Sequence, residues 1–239
     1  MTQWLLLGGA ALLASTLAAV AGFGGAAVLL PVLVAMFGVR DAIPILTVAQ
    51  LVGNASRVWF NRREVAVPVV GWFALGAVPL ALLGGLLFAA APLGALRRLV
   101  GAVLLLRVVW RHVPRAAAWR PPVRAFVGVG AVFSFVSALV GSVGPLMAPF
   151  FLAYGLVKGA YIGTEALATV VMHVTKLAAY QGAAVLTLPA VGVGLALGPI
   201  MIAGSYAGKR ILDRMPERAF VVVIELVLVG AGGWFLIAG

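Results

Sequence analysis

The chain has 239 residues, 64% hydrophobic and 10% charged, with a mean hydropathy of +1.18, far from the roughly 25% charge of a soluble domain. A net charge of +11 would suit nucleic acid in a soluble protein. No basic stripe interleaved with exposed aromatics accompanies it here, so nucleic acid is excluded as a partner and cationic loops at a membrane are the expectation. Cysteine is absent and the two histidines, His112 and His173, stand far apart, so the sequence offers no disulfide, no metal-ligand set and no cofactor motif.

In chain order, residues 1–39 carry no charge, and uncharged runs recur at 65–96, 125–157 and 177–208, each longer than the roughly 20 apolar residues that cross a bilayer. The fold class is therefore an all-α, polytopic integral membrane protein, a helical bundle with little chain left for a soluble domain. The first 22 residues resemble a secretory signal in their apolar core. They lack a basic start, and the apolar character runs on, so an uncleaved helix is expected.

Next comes "AGFGGAAVLLP" at 21–31, where Gly22, Phe23, Gly24 and Gly25 open a match to a dinucleotide fingerprint, with Asp41 at a tempting distance. That fingerprint needs a soluble strand before it, whereas here a span-length apolar segment precedes it. Beyond the glycine-interrupted pair at 2–37, helices are predicted over 42–60, 66–90 and 97–112. The same order then returns: an interrupted pair at 125–155 and helices over 159–180, 186–208 and 218–237.

A shift of 119 residues lays Gly22 and Gly25 on Gly141 and Gly144, and Gln50, Asn54 and Arg57 on Thr169, His173 and Lys176. Ordered matches of this kind indicate a duplication, with a first membrane repeat over 1–120 and a second over 121–239 in one integrated transmembrane domain. If each glycine-interrupted pair is re-entrant or half-length and returns to its starting side, each half crosses an odd number of times and the repeats have inverted topology. Placing the 107–124 loop in the cytoplasm then puts thirteen Lys and Arg inside and four outside, as the positive-inside rule requires, with both termini outside. Trp59, Trp110 and Trp119 near loop edges suit interfacial anchors.

"GFGGAAVLLPVLVAMFGVRDA" and "VGSVGPLMAPFFLAYGLVKGAYIGTEALATVVMHVTKLAAY" resemble the two glycine-rich stretches of the sulfite exporter TauE/SafE family, over nearly the whole chain. The second copy departs from the pattern, with Ser142-Val143 in place of Phe23-Gly24 and Pro145 beside Gly144. The resemblance implies a multi-pass secondary transporter of the cell inner membrane, with a sulfur-containing or carboxylate organic anion as partner and substrate.

The residue chemistry is compatible with that. Glycines at lipid depth free backbone amides, and half-helix N-termini in inverted-repeat transporters aim such amides at anionic groups near the midplane. The substrate-binding candidates are Gly22, Phe23, Gly24 and Gly25 with Gly141, Ser142 and Gly144. Two polar faces spaced i, i+4, i+7 join them, Gln50, Asn54 and Arg57 against Thr169, His173 and Lys176, together with Thr164. Each face offers neutral donors ending in a cation, without a fixed counter-charge. The competing explanations are close helix packing for the glycines, as at Gly84 and Gly85, and snorkelling to the interface for the two cations.

Two acids lie inside apolar sequence. Glu225 is expected to pair with Arg107, while Glu165, beside Thr164 and on the helix of His173, is the candidate for proton coupling. A passive anion channel is the alternative function. An intramembrane enzyme using Ser142 and His173 is less favoured, since the matched residue is Phe23 and no local catalytic motif accompanies the pair. A partner scaffold is the remaining class, and no oligomeric state is legible.

Overall fold

The computed structural model describes residues 2–92, 120–141, 143–220 and 222–223. Among these the chain is almost wholly helical and contains no strand. Helix α1 spans Thr2–Ala21 and α2 spans Gly25–Asn61, with a break at Gly38 (φ 76°, ψ 165°) that divides it into two helices of different direction. Helix α3 spans Val67–Ala90. After a 3₁₀ turn at Val123–Ala125 come α4 (Phe126–Val140), α5 (Gly144–Ala153) and α6 (Lys158–Gly182). Helices α7 (Leu188–Ala196) and α8 (Gly198–Arg214) follow.

The helices expected at 66–90 and 159–180 are found within a residue or two of those bounds. Two expectations are corrected. The segment 37–42 is not a loop: Gly38 alone supplies the bend, in a region of backbone space open essentially to glycine, and helix resumes at once. The helix expected at 186–208 is instead two, divided at Leu197 before Gly198-Pro199, and it runs on to Arg214. The helices expected at 97–112 and, beyond residue 223, at 218–237 lie outside the described residues, as do Trp110, Trp119 and the Arg107–Glu225 pair.

Among the described residues, five segments are long and apolar enough to cross a membrane: α1, α2, α3, the 123–140 stretch, and α7 with α8. Helix α6 is not among them by composition. Its 25 residues nonetheless reach roughly 37 Å at 1.5 Å per residue, and its less apolar sequence carries Thr164, Glu165, Thr169, His173 and Lys176, all buried. The bundle shows the burial pattern of a chain immersed in lipid: Leu5, Leu6, Leu75, Leu83 and Leu86 are exposed, while Arg57, Glu165, His173 and Lys176 are buried.

Packing pairs the two halves reciprocally. The most extensive helix contacts join α3 to α4 and α1 to α8, with α2 against α6 next. Small residues allow the approach. A side chain at Gly130 would strike the Phe73 carbonyl, one at Gly76 the Val127 carbonyl, and ones at Gly204 and Gly208 the carbonyls of Leu12 and Thr16. Gly84 and Gly85 likewise make room for Phe135 and Ala179, the packing role expected of them.

Arg40 caps the end of α3 by donating to the Ala89 carbonyl at 2.6 Å. Trp59 is exposed near the end of α2, with the Arg62 guanidinium 4.4 Å above its ring. Arg57 and Lys176, both counted in the expected charge asymmetry between the two sides, are instead buried in the bundle and belong to no loop.

Candidate functional site

Helix α1 ends at Gly22, whose amide donates to the Ala18 carbonyl at 2.9 Å and whose φ of 82° is left-handed. A Cβ there would sit 2.4 Å from the Tyr161 ring, so conformation and space both require glycine. Helix α4 ends identically: the Gly141 amide donates to the Ser137 carbonyl at 2.9 Å and Gly141 has φ 85°. Helices α2 and α5 then start at Gly25 and Gly144 without a side-chain cap, so their first amides have no partner within the helix and none from a capping side chain. The second start offers fewer donors, since Pro145 has no N–H and Leu146 already bonds the Val143 carbonyl at 2.9 Å. The two turns touch: a side chain at Gly144 would meet Phe23 Cβ at 2.8 Å. Close packing and free amides thus coexist at these glycines.

Between the turns lies a narrow cleft that opens to the surface of the bundle. Its walls include Gly22, Phe23, Gly24, Gly25, Gln50, Arg57, Gly141, Gly144, Thr169 and His173, ten of the expected residues, and also Glu165. Five pairs of lining residues are 119 apart: Ala18 and Ser137, Gly22 and Gly141, Gly24 and Val143, Gly25 and Gly144, Gln50 and Thr169.

The remaining candidates fall elsewhere. Asn54 lies behind the wall, its side-chain oxygen accepting from Arg57. Lys176 is also behind it, donating to the Ser137 hydroxyl at 3.2 Å. Thr164 is not at the cleft; it accepts the Ala66 amide at 2.9 Å. Ser142 lies outside the described residues. Of the lining residues not anticipated, Ser137 had a signal in the duplication as the counterpart of Ala18, whereas Met147 and Met172 had none.

Snorkelling is ruled out for both cations by their burial. Arg57 turns toward the end of α1, donating to the Ala18 carbonyl at 2.8 Å and the Gly22 carbonyl at 3.1 Å, where a cation suits the negative end of the helix. The expected lack of a counter-charge is corrected here: Glu165 lies 3.5 Å from Arg57, and Thr169 donates to its other oxygen at 3.0 Å. Lys176 has no carboxylate within ion-pair distance among the described residues. Gln50 Nε2, Glu165 Oε2 and both ring nitrogens of His173 are buried without a hydrogen-bond partner, which is costly unless something fills the cleft. The described residues hold no cluster fit for a metal ion.

The family model described as Sulfite exporter TauE/SafE matches residues 7–235. No curated protein matches the chain. No solved structure matches it.

Proposed function

The chain belongs to the sulfite exporter TauE/SafE family, which makes it a multi-pass membrane transporter, and from that premise we propose a secondary transporter that exports a small organic or sulfur-containing anion, sulfite-like or sulfonate-like, across the inner membrane. The observation that carries this reading is the convergence of two uncapped helix starts and two polar helix faces on one cleft, with unpartnered donors at Gln50 and His173. The halves 1–120 and 121–239 act as inverted repeats around that cleft, a reading supported by the recurring element order and the reciprocal packing of α1 on α8 and α3 on α4. Glu165 is the group assigned to proton coupling. Export itself is compatible with the membrane potential, since a monovalent anion leaving a negative interior gains about 2.3 kcal/mol per 100 mV.

The test is flux in proteoliposomes loaded with sulfite or a short sulfonate. A carrier gives saturable flux that is accelerated by the same anion on the opposite side. Linear flux without counterflow is the result of an open pore and would overturn the transporter mechanism.

A further inference from the structure

We propose that the cleft selects singly charged anions over doubly charged ones, because its walls and the layer behind them hold one uncompensated positive charge, on Lys176. This rests on the anion-site reading above and narrows it.

Among the described residues, the ionisable side chains at the cleft or immediately behind it are Arg57, Glu165, Tyr161, Tyr180, His173 and Lys176. Arg57 and Glu165 are both nearly inaccessible and offset one another at 3.5 Å. Tyr180 keeps its proton, donating it to the Ala138 carbonyl at 2.5 Å. Tyr161 is fully buried and its hydroxyl has no hydrogen-bond partner among the described residues, so it counts as neutral. A second proton on His173 would place an uncompensated charge one turn from Lys176, with no carboxylate against it among the described residues, so the ring counts as neutral. That leaves Lys176.

Its charge reaches the cleft through a relay. Lys176 donates to the Ser137 hydroxyl, Ser137 lines the cleft, and that hydroxyl's own proton is left to an anion. Gln50 Nε2 and one ring nitrogen of His173 add donors without adding charge. A monoanion therefore closes the count, whereas a dianion leaves one negative charge buried and unpaired, which is expensive. Glu165 is the specificity-determining group in this scheme: with its carboxylate removed, Arg57 is freed and the count rises to two.

Methanesulfonate and sulfate are close in size and differ in charge, so the pair isolates the effect. The readout is isothermal titration calorimetry of the purified full chain at fixed ionic strength, because sulfate raises melting temperatures by exclusion from protein surfaces whether or not it binds. The wild type is expected to bind methanesulfonate at least about tenfold more tightly than sulfate. Glu165→Gln should erase or reverse that ratio. Equal or tighter sulfate binding by the wild type overturns the inference while leaving the anion site intact, and so does an unchanged ratio in a Glu165→Gln protein that still binds methanesulfonate. Where Glu165→Gln does not fold, the wild-type ratio decides alone. Absence of heat with both anions overturns the anion-site reading itself and this inference with it.

Discussion

Arg57 and Lys176 sit 119 residues apart in sequence, at matching places on α2 and α6, each aimed at the end of the helix that leads into its own glycine turn. Arg57 reaches the carbonyls of Ala18 and Gly22 and is held by Asn54 and Glu165. Among the described residues, Lys176 has the Ser137 hydroxyl alone. The difference traces to two positions that the 119-residue shift does not match. The residue 119 positions before Glu165 is Leu46, so the Glu165 carboxylate serves Arg57 in the other half, and the residue 119 positions before Ser137 is Ala18, which has no side-chain oxygen to offer. One cation fastens a helix end and is neutralised by Glu165, while the other lies beside a neutral hydroxyl and, in the function proposed above, is the one that meets the anion.

The largest effect that could break this comparison is expected at Arg57. Arg57→Met leaves Glu165 buried and unpaired, and should cost about 3–5 kcal/mol, read as resistance to denaturation in mixed micelles. Adding Glu165→Met should recover most of that loss. If the double variant is no better than the single, the pair is not the unit described here.

The glycine turns sharpen the contrast next. Gly141→Ala should cost about 1–2 kcal/mol for its left-handed backbone, since the new methyl finds Leu46 at 3.4 Å and Ile43 at 3.5 Å, ordinary contacts. Gly22→Ala carries the same strain and also drives a methyl into the Tyr161 ring, so it should be clearly the worse of the two. Equal losses would show that Tyr161 yields freely.

Smaller in stability but decisive in function, Lys176→Met should change folding by less than about 1 kcal/mol, because replacing a poorly paired buried charge with an apolar group of similar length is close to neutral. It should abolish anion binding in calorimetry. Retained affinity would remove Lys176 from the site. The smallest functional effect is expected at Thr164→Val, which deprives the Ala66 amide of its acceptor at a cost of about 1 kcal/mol in stability and leaves anion affinity unchanged.

Much of the architecture was legible because it depends on local physics. Apolar runs of spanning length and a glycine cluster at 22–25 are enough to place α1, its turn and α2, and the 119-residue shift carries that reading to α4, Gly141 and α5. Pairing between halves was not legible. Nothing near Glu165 in sequence names Arg57 as its partner, because the contact exists only once α2 and α6 pack together. The error at Thr164 is of another kind: it stands five residues before Thr169, roughly 140° away around a helix of 3.6 residues per turn, so the two cannot share a face. Glu165, one position on, falls into step with Thr169 and His173 and lines the cleft with them. At Gly38 the charges of Arg40 and Asp41 imitate a loop, yet a single glycine turns the chain and both charges ride on helix.

The central claim is that the two glycine turns jointly hold an anion, and titrating the purified protein with sulfite, a short sulfonate and a short carboxylate tests it most directly. The account predicts saturable binding of at least one of them, abolished by Gly144→Leu, whose side chain must enter the space between Phe23 and the start of α5. A protein that remains folded and binds none of these anions, or binds them equally well with leucine at 144, would contradict it.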